Sequence, residues 1–578
     1  MVNITIDGRQ VTVPANSTVL DAARDMGINI PTLCFLKDIN KTGACRMCLV
    51  EVEGIRNLQT ACTFPVRDGL VVKTNTKKVR DARRDNLQLI LSNHNRECLS
   101  CFRNGSCELQ TLCDDMGLAE LDFEAPKELK PVDMLSHSIV RDPNKCVLCG
   151  RCVAVCNKVQ EIGILAFTNR GVETEVAPAF GTSMADSPCI YCGQCVNVCP
   201  VAALREKTDI EKVWEALEDE NKHVVVQVAP AVRAALGEMF GNPIGTRVTG
   251  KMFTALKMLG FQKVFDTNFA ADLTIMEEGT ELLGRIKNGG TLPMITSCSP
   301  GWIRYVEYNY PELLDHVSSC KSPQQMMGAV LKSYYAEMNN IAPEDMIVVS
   351  VMPCISKKTE AAKKEMKNVH GTRDVDIVLT TRELGKMIKE ARIEFNDLPD
   401  SNPDEFFGDY TGAAVIFGAT GGVMEAAIRT VADIVSGQEL ADIEYSAVRG
   451  LEGIKEAAVK IGDLEVKVAV AHGTANAGKL MEMVKEGKAD YHFIEIMGCS
   501  GGCVTGGGQP HVDSRTQEKV NVKLERAKAL YTEDKLRDRR KSHHNESVKR
   551  LYDEYLGKPN GHKAHELLHT HYKKRDLF

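Results

Sequence analysis

Residues 2 to 13 alternate apolar and polar positions, with Val2, Ile4 and Ile6, then Val11 and Val13, flanking Asp7-Gly8. A period of two interrupted by a dipeptide that tolerates positive φ predicts a β-hairpin with a two-residue turn. Ser17 then reads as a helix N-cap, with Leu20, Ala23 and Met26 as the buried stripe and Gly27 as the stop. After about residue 210 the texture changes. Largely apolar runs at Val224–Val228, Met294-Ile295, Ile347–Val351 and Phe493–Ile496 alternate with helical segments such as 250–256. Strands covered on both faces read this way, so the pattern predicts an α/β domain with buried parallel strands. The runs lead into Ala229-Pro230, Thr296-Ser297-Cys298, Met352-Pro353-Cys354 and Met497-Gly498-Cys499. Open α/β sheets bind ligands beyond the carboxyl ends of their strands. Four distant segments should therefore converge on one site of cysteine, methionine and glycine, a soft environment suited to iron.

Composition narrows the class. A chain of 578 residues is too long for one core and implies several domains. The apolar share is 43% and the charged share 26%, with no apolar run approaching the roughly 20 residues of a membrane span. The amino terminus lacks a signal-peptide pattern, which points to the cytoplasm. A net charge of -7 and the absence of a basic stripe with interleaved aromatics before the C-terminal tail argue against nucleic acid as a partner.

The 21 cysteines carry most of the information. Their density is below that of a disulfide scaffold, a reducing compartment disfavours disulfides, and short-range clustering is what metal binding requires. Cys34, Cys45, Cys48 and Cys62 follow the hairpin and helix, an order similar to a plant-type 2Fe-2S ferredoxin with a longer first spacing. His94 precedes Cys98, Cys101 and Cys107, so imidazole can complete a cubane that has only three thiolates. Cys113 joins no set and reads as an apolar filler. Cys146, Cys149, Cys152 and Cys156, then Cys189, Cys192, Cys195 and Cys199, form the bacterial two-cluster ferredoxin repeat, with Asn157 where the first run usually has proline. In that repeat the fourth cysteine of each run serves the other cluster: Cys199 joins Cys146, Cys149 and Cys152, and Cys156 joins Cys189, Cys192 and Cys195.

Three further stretches, Thr296 to Trp302, Met352 to Glu360 and Glu495 to Pro510, resemble the active-site signatures of FeFe-hydrogenases, and the likeness covers essentially the whole chain. Module order resembles the clostridial, ferredoxin-linked type with four accessory clusters. The resemblance implies a 2Fe-2S ferredoxin-like (β-grasp) domain at 1–80, a His-plus-three-Cys 4Fe-4S domain at 81–125 and a two-cluster 4Fe-4S ferredoxin-like domain at 126–209. A catalytic α/β domain at 210–512 and a small-subunit-like segment at 513–578 follow. It also implies an H-cluster, a 4Fe-4S cubane joined through cysteine to a di-iron unit with CO, cyanide and azadithiolate.

By the same resemblance Cys354, Cys499 and Cys503 ligate the cubane, Cys503 bridges to the di-iron unit, and Lys357 hydrogen-bonds a cyanide. Ala229, Pro230, Gln324, Met352, Phe417 and Met497 pack around that unit, while glycines 501, 502 and 506 to 508 allow close backbone approach to the cofactor. Cys298 matches the relay thiol, continued by Glu278, Ser318 and Glu281 toward Arg285. Ser299 departs from the family, which has a cubane-ligating cysteine there; serine is a harder and far less acidic ligand. The expected reaction is reversible reduction of protons to H2. Soluble ferredoxin or flavodoxin is the expected electron partner, since Gly418-Ala419-Thr420-Gly421-Gly422 lacks a dinucleotide-binding context. Maturation proteins would install the cofactor. The rival readings are an electron-transfer subunit of a respiratory-type dehydrogenase and a non-catalytic iron–sulfur assembly relative; neither needs Lys357, Met352, Met497, Glu278 and Glu281 together.

Overall fold

Val2–Ile6 pairs antiparallel with Arg9–Val13, Ile6 opposite Arg9, in the computed structural model, which describes all residues except 123–127, 369–370, 440–443, 462–463 and 577–578. Asp7 and Gly8 take φ of 48° and 80°, the left-handed pair that this short turn demands. The hairpin is one edge of a five-stranded sheet completed by Leu70–Lys73, Leu49–Val52 and Gln59–Thr60. Helix Val19–Asp25 starts one residue later than expected, at Thr18. The reason is local: Thr18 has Asp21 three residues on and forms a reciprocal capping box, whereas Ser17 has Leu20.

Helix Lys77–Asn93 runs across the expected boundary at residue 80 and delivers His94 at its C-terminus. The boundary expected at 125/126 lies outside the described residues. The two-cluster region has two short antiparallel pairs, Ile139–Arg141 with Leu204–Glu206 and Ala166–Thr168 with Glu175–Ala177. Asn157 donates its side-chain amide to the carbonyls of Val153 and Leu165, at 2.8 and 3.2 Å. It therefore ties down the turn that proline would otherwise stiffen.

The large domain contains two four-stranded sheets. One is wholly parallel, in the order Lys263–Asp266, His223–Val228, Met346–Met352 and Ile377–Thr380. In the other, Met294–Ile295, Phe493–Met497 and Leu464–His472 are parallel and Ile454–Ile461 closes the edge antiparallel. Val224, Val226, Val348, Val349, Ile494 and Ile496 are fully buried, as strands covered on both faces require. The C-terminal segment lies on this domain: Arg526 makes a bidentate pair with Glu238 at 2.8 and 2.6 Å and donates to the Val504 carbonyl at 2.9 Å.

The two-cluster module meets the large domain backbone to backbone. Gly193 has φ of 71°, and a Cβ on it would stand 2.6 Å from Ile355 Cδ1 and 2.9 Å from the Gly507 Cα. One on Gly507 would stand 2.5 Å from the Cys192 carbonyl oxygen. No side chain larger than hydrogen fits between them.

Candidate active site

Four of the strands named above end at one cavity. Ala229 and Pro230 follow His223–Val228, Met352 to Cys354 follow Met346–Met352, Cys298 and Ser299 follow Met294–Ile295, and Met497 to Cys499 follow Phe493–Met497. Two strands come from each sheet, so the site lies where the carboxyl edges of both sheets face each other. The cavity is also lined by Gln324, Lys357, Phe417, Gly502, Cys503 and Gly506, and every expected cubane and di-iron pocket residue is among its walls.

Cys354, Cys499 and Cys503 crowd together. Burial pushes the Cys499 thiol far above its ordinary value, and the neighbouring Cys354, Cys192 and Cys503 add to the effect. Such a set is unfavourable as bare thiolates and is relieved by a bound cation, so the donor chemistry fits a 4Fe-4S cubane. The rest of the wall is mostly apolar, its polar side chains being Lys357, Gln324, Thr267 and Ser299, which suits neutral diatomic ligands with one cation to meet an anionic one. Lys357 Nζ donates to the Cys298 carbonyl at 3.1 Å and to Glu360 at 3.0 Å. Glu360 also accepts from Gln324 at 3.0 Å and Ser322 at 2.9 Å, which fixes both polar side chains. Its role was not anticipated. The signal was available, because Glu360 sits three residues after Lys357 on helix Ser356–Ala361.

Ser299 lies against the strand that carries Cys499, its Oγ accepting from the Gly498 backbone N–H at 3.2 Å. Cys298 is on the cavity wall toward a different neighbour. Burial drives its thiol well above the ordinary value, and the charge of Glu278 raises it further. Glu278 is 1% exposed on helix Thr267–Asn288, and among the described residues neither carboxylate oxygen has a hydrogen-bond partner. Burial, helped by the charge of Glu281, lifts its pKa to about 8. Ser318 Oγ donates to Glu281 Oε2 at 2.8 Å, and Arg285 holds Glu281 Oε1 at 2.7 Å. The Glu278 and Glu281 pair is thus an inward face of the helix and not a solvated one.

The glycines of this stretch differ in what they touch. Gly502 and Gly506 reach the cavity, but what excludes a Cβ there is protein: the Thr420 nitrogen at 2.7 Å from the first and the Pro353 oxygen at 2.2 Å from the second. Gly508 is pressed on Thr380 and Gly501 on Lys523. Their smallness packs loops against each other. Glu495, part of the third signature, points away and receives the Gly421 and Met424 backbone N–H groups at 2.7 Å each, at the start of helix Gly422–Ser436.

The accessory cysteines gather as the sequence grouped them. One cavity is lined by His94, Cys98, Cys101 and Cys107, a second by Cys146, Cys149, Cys152 and Cys199, a third by Cys156, Cys189, Cys192 and Cys195. The crossed assignment of Cys156 and Cys199 is therefore the spatial one. Cys113 borders the first cavity, so it is nearer the His94 set than its sequence position suggested. The Cys34 N–H donates to Cys45 Sγ at 3.4 Å, and the Cys48 and Cys62 sulfurs lie 3.3 Å apart. Between the third cavity and the active site, Gln194 donates to Cys499 Sγ at 3.3 Å and to the Thr505 carbonyl at 3.0 Å. Gln194 lay unremarked inside a cysteine run.

Residues 222–507 match the family described as iron only hydrogenase large subunit, C-terminal domain, and residues 520–575 its small subunit. Ahead of them, 1–77 match a 2Fe-2S binding domain, 83–121 the NADH-ubiquinone oxidoreductase-G iron–sulfur region and 138–200 a 4Fe-4S dicluster domain. The chain is 50% identical over 586 residues to an NADP-reducing hydrogenase subunit of Solidesulfovibrio fructosivorans, covering 100% of this chain and 99% of that one. It is 48% identical over 579 residues to iron hydrogenase 1 of Clostridium pasteurianum, covering 99% and 100%. A solved FeFe-hydrogenase variant from Chlamydomonas reinhardtii superposes with a TM-score of 0.56 at 44% identity, covering 63% of this chain and 98% of that one. Among the described residues no helix is long and apolar enough to cross a membrane.

Proposed function

The chain belongs to the FeFe-hydrogenase family and metabolises hydrogen at an H-cluster, and we propose that it works as a ferredoxin hydrogenase, 2 H+ + 2 reduced ferredoxin giving H2 + 2 oxidised ferredoxin. The observation that carries this reading is the meeting of Cys354, Cys499 and Cys503 with Lys357, Met352, Met497 and Phe417 on one cavity, with Cys298 and buried Glu278 behind it. A respiratory-type electron carrier or an assembly relative has no use for that combination.

When bound, the H-cluster supplies the redox chemistry and the basic amine at which H–H is made or split. The protein holds and feeds it. Cys354, Cys499 and Cys503 anchor the cubane, Ser299 occupies the fourth ligand position, and Lys357, pinned by Glu360, directs its N–H toward an anionic ligand. Ala229, Pro230, Gln324, Met352, Phe417 and Met497 exclude water. Cys298 passes a proton between the cavity and Glu278, which burial keeps neutral at pH 7 and so able to donate. Ser318 and Glu281 carry it outward, and Arg285, which keeps its own protons, holds Glu281 in place at the outer end. The four accessory ligand sets would hold one 2Fe-2S and three 4Fe-4S clusters, which would supply one-electron transfer, and Gln194 lies between the last of these sets and Cys499.

Two donors are at issue, because one relative is named as a subunit of an NADP-reducing enzyme. The purified chain should evolve hydrogen from reduced ferredoxin and not from NADPH alone. Hydrogen from NADPH without any added protein would overturn the ferredoxin reading.

Ser299→Cys isolates the unusual ligand. Because the Ser299 oxygen already faces the Cys499 strand, a sulfur there should give an all-thiolate cubane with hydrogen turnover kept or raised. Recruiting Cys298 instead would need the loop before Pro300 to turn over. Electron paramagnetic resonance of the reduced cubane decides the matter: a spectrum unchanged by Ser299→Cys means that Ser299 is not a ligand.

A further inference from the structure

Outside the cavity, a cluster of ligand-type side chains joins Glu281 of the relay to Cys320 and His569, which have no part in the scheme above. Cys320 is 0% exposed and His569, contributed by the C-terminal segment, is 7% exposed. One ligand atom from each of Glu281, Cys320 and His569 lies within 4.8 Å of the other two. Cys320 Sγ is 3.8 Å from Glu281 Oε2. Sulfur and oxygen on a tetrahedral zinc ion stand about 3.5 Å apart, from bonds of about 2.3 and 2.0 Å, so this edge is close to formed. The backbone pairing of Cys320 with His569 brings the other two edges into range.

The surroundings supply what a metal-bound histidine needs. Its ring nitrogens face different oxygens: Nε2 is 3.0 Å from Glu277 Oε2 and Nδ1 is 2.8 Å from Ser319 Oγ. Whichever nitrogen takes a metal, the other keeps an acceptor, and such a partner fixes the ring and raises its donor strength. The local charge also invites a cation. Glu277, Glu278 and Glu281 all lie on helix Thr267–Asn288, and the Cys320 thiol is raised far above its ordinary value by burial and then by these three carboxylates. Arg285 engages Glu281 through Oε1, at 2.7 Å, leaving Oε2 to Ser318 and Cys320.

We propose that Glu281, Cys320 and His569 form a binding site for a divalent cation of the zinc class, with water as fourth ligand, and that its occupancy shuts the proton relay. Sulfur, nitrogen and oxygen on a four-coordinate centre select zinc over the harder magnesium or calcium. On binding, the Cys320 thiol gives its proton to solvent and Glu281 Oε2 turns from the Ser318 hydroxyl to the metal. The hydrogen bond between Ser318 and Glu281 is then lost, and with it the outward step of the relay. The second half of this inference rests on the relay described under the proposed function; the first half does not.

The test uses fully loaded holoenzyme equilibrated with micromolar zinc and then freed of unbound metal, comparing the unaltered chain with Cys320→Ala and His569→Gln. The unaltered chain should retain one zinc more than either variant, and its zinc K-edge absorption should show a single sulfur among nitrogen and oxygen neighbours. Zinc should suppress hydrogen turnover, reversibly on adding a chelator, with each variant at least about tenfold less sensitive relative to its own zinc-free rate. Equal zinc content in all three proteins, or a zinc shell with several sulfurs, would overturn the site. One extra zinc with turnover untouched would keep the site and overturn its control of the Ser318–Glu281 step.

Discussion

Cys298→Ala should lower hydrogen turnover by two orders of magnitude or more, about the contribution of a positioned acid–base group, while iron content stays that of the unaltered protein. The expectation follows from position. Cys298 is an ionisable side chain on the cavity wall that also feels the charge of Glu278, and Glu278 is buried with no hydrogen-bond partner among the described residues. Removing the thiol leaves no group to hand a proton across. Cys298→Asp should recover part of the loss, because a carboxyl can both take and give a proton at that place. Iron analysis and the hydrogen assay together decide between the roles of neighbouring residues. Loss of iron in Cys298→Ala would show that Cys298, and not Ser299, holds the cubane.

Arg382→Met should destabilise the junction of the two-cluster module with the large domain by about 3–5 kcal/mol, the usual cost of leaving a buried charge without its partner. Arg382 and Glu206 are 3% and 1% exposed and paired through both oxygens, at 3.1 and 2.8 Å. The guanidinium also reaches the Asn197 side chain and the carbonyls of Gly507 and Gln509. Burial alone would raise the Glu206 pKa, but the adjacent Arg382 outweighs it and holds the carboxylate at about 2. A depressed pKa stabilises the fold above the unfolded value near 4.5, and that contribution fades as pH falls toward 2. In Arg382→Met the sign reverses, so the variant should be least stable at neutral pH and recover on acidification. Thermal unfolding of the holoprotein followed across that pH range measures this; an unchanged midpoint at pH 7 would mean that the pair is not what joins the modules. The double variant Arg382→Met with Glu206→Met should be less destabilised than the single one.

What was legible in the chain was whatever is written at short spacing. The hairpin at Asp7-Gly8, the cysteine runs and the strand-to-cysteine endings each need only a few consecutive residues, and each stands where expected. The crossed roles of Cys156 and Cys199 came from a repeat whose rule is itself spatial. Less legible were contacts made across long separations. Glu360 gathering Gln324 and Ser322, Gln194 bonded to Cys499, and His569 beside Glu277 all join segments that no local pattern relates. The glycines show the same limit from the other side. The family resemblance marked glycines 501, 502 and 506 to 508 as places of close approach, but not that the approaching partners included Thr420, Pro353 and Cys192. The start of helix Val19–Asp25 was missed by one residue because Ser17 and Thr18 are equally good caps until Asp21 is counted.

Domains joined by modest, polar interfaces ordinarily swing against one another. Gly193 and Gly507 remove that freedom at the point where it would matter most, since their main chains touch with no compressible side chain between them. On the proposed ligand sets, the gap that an electron would cross from the Cys192 set to the Cys499 set is consequently fixed at this seam by two backbones, settled when the chain folds. Delivery of charge needs no docking motion here, and the slow, diffusive events of the reaction are left to the protein's outer faces.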